Sequence, residues 1–225
     1  MTRRVFARFV IWVFSFLIMQ ESLAHSVYFQ QIEGNRVIIR FGEFGADHEE
    51  SPGYLDSLDA VSAWKYGVDN KLQLLDPEKK KQGFAVEASA KDSIAAQTGF
   101  PVMSRGGNPG RKPNFYARWI PGFDKKLNPS LNLDIVPTGK SSQVQIFFRG
   151  KPLADVEVKL YAPDATEQAY TSDKNGLVKI KIDPDKKGLY MLKVARYSET
   201  LQGYDRGTGY AVTSHNCSLT WSKSE

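Results

Sequence analysis

Three histidines, His25, His48 and His215, give this chain its clearest scope for chemistry. Imidazole nitrogen suits nickel, cobalt and copper among the divalent metals. His25 gains weight from what precedes it. Arg3, Arg4 and Arg8 make a basic start, residues 9–19 form an apolar run, and Ser22-Leu23-Ala24 has the small-x-small pattern of a cleavage site. Residues 1–24 therefore read as a secretory signal peptide, cut after Ala24. The alternative is an uncleaved membrane anchor, but the run of eleven residues is short beside the ~20 that a spanning helix needs. Cleavage would place the mature chain in the periplasm and leave His25 as its first residue. One residue would then offer two nitrogens, the imidazole and the α-amine. The reference pKa of an α-amine is ~8, low enough to yield its proton to a metal at neutral pH. A second imidazole would complete a three-nitrogen clamp of the histidine-brace kind. A square-planar amide site needs histidine in third place, and Val27 stands there.

His48 lies in Ala46-Asp47-His48-Glu49-Glu50, within an acidic stretch that also holds Glu43, Asp56 and Asp59. Carboxylates beside an imidazole can ligate a metal or orient the ring, so Glu49 joins the candidates. The same text also fits a solvated acidic loop. His215 and Cys217 are two apart in a strand-like segment and so share a face. They could bind a soft metal, or be a satisfied strand histidine beside a buried thiol. The expected metal set is His25, His48, Glu49 and His215.

Cys217 is the only cysteine. No intrachain disulfide is possible, and no disulfide-linked partner is expected. Its thiol is free, a ligand, or buried filler, the commonest fate of a lone cysteine. No Gly-x-Ser-x-Gly elbow, phosphate loop or paired zinc-ligand motif occurs, so the reading is not an enzyme. A copper oxidase is a third option, which would need redox turnover. The formal charge is +5, and removing the three arginines and one glutamate of residues 1–24 leaves +3. So weak an excess does not argue for nucleic acid. Lys79-Lys80-Lys81 and Lys125-Lys126 read as solvated loops.

These residues need a scaffold, and the text is that of an all-β protein. Short Val-, Ile-, Phe- and Tyr-rich segments alternate with Gly and Pro. Residues 26–32 and 36–42 read as a hairpin closed at Glu33-Gly34-Asn35. Residues 43–60 read as an irregular acidic loop with a helical turn near Leu55. Strand-like text follows within 60–75, at 84–88 and at 114–120, with 101–113 mainly loop. Beyond 131 the alternation is stricter: 131–136, 143–149, 156–161, 167–171, 177–182, 188–195 and 208–221. Period-two alternation means one face buried and one wet, as in a β-sandwich. The expected organisation is two β-sandwich-like domains: 25–122 β-rich, 123–130 a linker, and 131–225 an immunoglobulin- or prealbumin-like sandwich.

Two phrases carry a resemblance. Gln143 through Val158, with Gly150-Lys151-Pro152-Leu153-Ala154 at its centre, is similar to a passage of prealbumin-like and carboxypeptidase-regulatory-like sandwiches. Thr171-Ser172-Asp173-Lys174-Asn175-Gly176 resembles their hairpin. Ala24-His25-Ser26-Val27-Tyr28, Lys112 through Arg118, and Leu131 through Ala154 resemble the exported nickel or cobalt uptake component family (NikK-like), over nearly all of residues 24–221. That resemblance implies a periplasmic protein that binds nickel or cobalt and hands it to an uptake transporter in the inner membrane; copper is a further candidate on ligand chemistry. The chain departs from histidine-rich relatives in having three histidines. The competing function is a non-catalytic cell-envelope module that binds a protein or glycan.

Overall fold

The computed structural model describes residues 25–67, 71–104 and 110–224; the expected signal peptide, residues 1–24, lies outside them. The protein is all-β. The first half holds β1 (Ser26–Ile32), β2 (Arg36–Gly42), β3 (Ser62–Tyr66), β4 (Leu72–Leu75), β5 (Glu78–Lys80), β6 (Gly83–Ser89), β7 (Ile94–Gly99) and β8 (Arg111–Trp119). The second holds β9 (Leu133–Pro137), β10 (Gln143–Phe148), β11 (Lys151–Pro152), β12 (Glu157–Tyr161), β13 (Glu167–Thr171), β14 (Leu177–Lys179), β15 (Gly188–Glu199), β16 (Gly203–Asp205), β17 (Thr208–Tyr210) and β18 (Val212–Lys223). Among the described residues no helix is long and apolar enough to cross a membrane.

An eight-stranded sheet, ordered β13-β12-β15-β18-β8-β7-β3-β4, runs through both halves. Its join is the parallel pairing of β18 with β8, from Val212 opposite Arg111 to Thr220 opposite Trp119. The segment 123–130 separates the halves in sequence, while this sheet is continuous across them.

A smaller sheet covers each face. Sheet β1-β2-β6-β5 lies on one side, where Val27, Phe29, Val37, Ile39 and Phe41 pack with Ile94, Ala96, Phe115, Ala117 and Trp119. On the other side β10 pairs with β9, β11 and β14. There Leu133, Ile135, Val144 and Ile146 pack with Tyr116, Leu160, Leu192, Cys217 and Leu219. Alternation along β8 serves both cores: Phe115, Ala117 and Trp119 face one, Tyr116 the other. Each large apolar side chain so buried contributes about 1.5–3 kcal/mol.

Elements that differ from the reading of the sequence include β5, which takes in Lys79 and Lys80, as well as β7 and β8. Strand β7 has no polar–apolar alternation, because Ile94, Ala95 and Ala96 are all fully buried between two covered faces. Such a strand reads as a plain small-residue run. Strand β8 starts inside the Gly- and Pro-rich passage, with Pro113 opposite Ser214. A proline lacks a donor, and its carbonyl instead accepts from the Phe100 amide at 3.0 Å.

Candidate functional site

The opening hairpin sets the position of His25. The turn at Glu33–Asn35 gives Gly34 and Asn35 positive φ, 71° and 57°, which Gly and Asn accept at low cost. That turn fixes the register, with Ser26 opposite Gly42. Residue 25 therefore ends beside the point where β2 enters the acidic loop. The loop then folds back. His48 forms a bridge with Gly42, and the Glu49 amide donates to the Phe41 carbonyl at 2.9 Å. Glu49 is thereby carried to His25, and the imidazole Nε2 lies 2.5 Å from Oε1 of Glu49. Both side chains are about one-third exposed.

Aromatic rings brace the imidazole. Phe41 and Tyr54 lie 5.3 and 5.7 Å from it, centroid to centroid. Tyr54 belongs to a single 3-10 turn, Tyr54–Ser57, and packs on Phe41 and Phe100. With Nε2 directed at Glu49, the nitrogen left over is Nδ1. That is the ring nitrogen able to close a six-membered chelate with the residue's own α-nitrogen. A carboxylate holding the far nitrogen of a metal-ligating histidine is a common supporting arrangement, fixing tautomer and ring orientation. The two roles weighed for Glu49 thus meet different geometry: it touches the ring nitrogen that the chelate does not use.

His48 goes elsewhere. Adjacent residues of extended chain point to opposite sides, and His48 Nε2 lies 2.8 Å from the hydroxyl of Tyr28. Burial pushes Tyr28 up to about 12, against the opposing effect of Arg40. Burial, then Arg40, holds His48 below the ordinary histidine value, with Asp47 opposing. His48 is therefore a neutral partner of a buried tyrosine.

No protein-family model matches this chain, and no curated protein matches it.

His215 sits across the eight-stranded sheet from His25. On β18 it shares the face of Cys217 and Leu219, which belong to the β9–β10 core. Ser218, on the opposite face, donates to the Val27 carbonyl of β1 at 2.7 Å. His215 Nδ1 is 3.0 Å from the Tyr116 hydroxyl and Nε2 is 3.1 Å from Glu199. Glu199 also accepts from Arg149 at 2.8 Å. The chain hydroxyl–imidazole–carboxylate has the connectivity of a relay, but Tyr116 and His215 are 4% and 3% exposed. Burial pushes Tyr116 up to about 12. Burial also lowers His215, against its hydrogen bond with Glu199. This is a buried network that pins β18 to β8 and to the bulged end of β15. Cys217 is buried, and desolvation raises its thiol well above the usual range, as expected of filler.

Of the four candidate residues, the structure brings together His25 and Glu49 and sends His48 and His215 to other partners. Among the described residues no group of three His, Cys, Asp or Glu side chains is placed to hold a metal ion. The sequence reading missed Tyr28, Phe41, Tyr54 and Glu199. The hairpin register held a signal for one of them, because it places Phe41 beside the start of β1.

Proposed function

We propose that the protein is exported, that removal of residues 1–24 frees the α-amine of His25, and that the new terminus captures a nickel or cobalt ion for handover to an uptake transporter. Copper is the other candidate metal. The observation that carries this reading is the 2.5 Å contact of His25 Nε2 with Glu49, which leaves Nδ1 for a chelate with the α-amine. Glu49 polarises the ring and holds it, while Phe41 and Tyr54 limit its swing. Nitrogen donors of this kind suit late divalent metals. A capture-and-transfer site must release its cargo, and open coordination positions give a receiving protein a place to attack.

Calorimetric titration with nickel, cobalt and copper tests the proposal. It compares the chain starting at His25, His25→Ala, and a chain extended by one residue before His25. Tight binding to the first alone is the expected result. No binding, or equal binding by the extended chain, overturns the reading.

A further inference from the structure

The outward face of the sheet around β10 forms a groove of about 350 Å³, remote in sequence from His25 and His48. Val144 and Ile146 point inward to the core, so Gln143, Gln145 and Phe147 line up on the other face. Val136 and Leu177 flank them, residues 126–129 form a wall, and Lys140 and Thr138 close one end. Lys126, Asn128 and Lys140 are exposed.

We propose that this face binds an acidic oligosaccharide, a chain of uronate-type sugars. Three observations select that ligand. The charged residues that line the groove are Lys126 and Lys140, with no carboxylate among the lining residues. Among the described residues neither lysine takes part in a salt bridge, so both ammonium groups are available to carboxylates. The second observation is the polar lining: Thr138 donates to Gln143 Oε1 and Gln145 Nε2 donates to the Asn175 carbonyl. This orients both amides and leaves Gln143 Nε2 to donate to sugar hydroxyls and Gln145 Oε1 to accept from them, beside the Asn128 amide. The half-buried Phe147 and Pro129 add apolar surface for sugar faces. The third is the place of β10. It is hydrogen-bonded on both sides, to β9 and to β14 and β11, so its backbone cannot take up an extended peptide by strand addition. Recognition falls to side chains. The row from Gln143 to Phe147 spans about 14 Å at ~3.4 Å per residue, the reach of a short oligosaccharide.

Calorimetry of the metal-free full chain with oligogalacturonate, a neutral malto-oligosaccharide of equal length, and polyglutamate tests this. The expected result is binding of oligogalacturonate that weakens with salt and falls at least tenfold in Lys126→Ala/Lys140→Ala. Gln143→Ala should weaken it without changing the salt dependence, and the neutral sugar should bind far less. Absence of oligogalacturonate binding, full retention by the double-lysine variant, or equal affinity for polyglutamate overturns the proposal. The last result would make the groove a surface for acidic peptides.

Discussion

Glu49 and His25 are 24 residues apart and meet side chain to side chain at 2.5 Å. If Glu49 holds the ring from its far nitrogen, Glu49→Gln should keep the α-amine and Nδ1 in place while loosening their aim. Loss of such a supporting carboxylate typically costs 10–100-fold in metal affinity. Titration of Glu49→Gln beside His25→Ala should give a weakened site in the first and none in the second. Equal affinity of Glu49→Gln and the parent would remove Glu49 from the site.

The return of the acidic loop depends on Gly42. Its φ is +147°, and a Cβ there would stand 2.9 Å from the Asp47 carbonyl oxygen and 3.1 Å from Cα of His48. Both are backbone atoms and neither can step aside cheaply. Gly42→Ala should therefore displace residues 47–49 and uncouple Glu49 from His25. The expected outcome is a loss of about 1–3 kcal/mol in urea unfolding, with metal affinity moving toward that of Glu49→Gln. Unchanged affinity in a destabilised Gly42→Ala would separate the loop from the site.

Much of this frame was legible in the text because period-two alternation records one-sided burial. Strands β10 and β12 carry that record, with Val144 and Ile146, and Val158 and Leu160, buried between less buried neighbours, while the hairpin of β1 and β2 is legible from its turn at Glu33–Asn35. Buried on both faces, β7 carries none, and the joining of the halves through β8 and β18 is a long-range pairing that local pattern cannot encode. The same limit applies to the site. His25 is prominent from its place in the chain, and His48 looks like its natural partner by composition. Alternation at residues 48 and 49 decides otherwise, since only one of two neighbours can face His25.

Arg118 and Asp134 lie fully buried between β8 and β9. The guanidinium Nε and Nη2 donate to the two carboxylate oxygens at 2.9 and 2.6 Å, and Nη2 also reaches the Tyr66 hydroxyl at 2.8 Å. The amides of Ser130 and Leu131 donate to the same carboxylate. Asp134→Ala would strand a buried cation and leave those donors unpaired, at a cost of about 3–5 kcal/mol. Arg118→Met/Asp134→Leu removes both charges and should be less destabilised than Asp134→Ala alone. Chemical denaturation of the two variants gives the comparison, and the reverse order would mean that packing, not charge, sets the cost.

Half-buried His48 and buried His215 make stability fall on mild acidification. Burial holds His48 and His215 below the ordinary histidine value in the folded protein, which is ~6.5 in an unfolded chain. The unfolded state thus binds more protons as pH drops through that value, and stability falls with it. The contribution is complete above that value and is lost as pH descends through the folded pKa values. Exposed carboxylates such as Asp56 and Asp164, held at about 2 by lysine partners, act at lower pH. Urea midpoints measured from pH 7.5 to 5 should therefore decline, and His48→Gln/His215→Gln should flatten the decline whatever its absolute stability. An unchanged slope in that variant would assign the decline to other groups.

Lys193 gives a slope of the same sign at the alkaline end. It is 6% exposed on β15, in register with Lys159 of β12 and Ser218 of β18. Burial, with Arg196 and Lys159 nearby, lowers it to about 8, while Glu167 and Glu43 oppose the shift. An unfolded lysine titrates at ~10.4. Above about 8 the unfolded chain keeps a proton that the folded one has released, so stability rises with pH until the unfolded lysine also titrates. Cys217 works against this from ~8.5 upward, where an unfolded thiol ionises, because burial raises its own thiol well above the usual range. Tyr28 and Tyr116 join it from ~10, where unfolded tyrosines ionise, since these two are held at about 12. The rise is therefore read in a Cys217→Ala parent, and its window closes near pH ~10. Lys193→Met keeps the length of the side chain and removes the charge. At pH 7 it should be more stable than the parent, and its unfolding midpoint should be flat where the parent's rises. A destabilised Lys193→Met with the alkaline rise intact would mean that the ammonium is held charged by its surroundings and that the sheet needs it there.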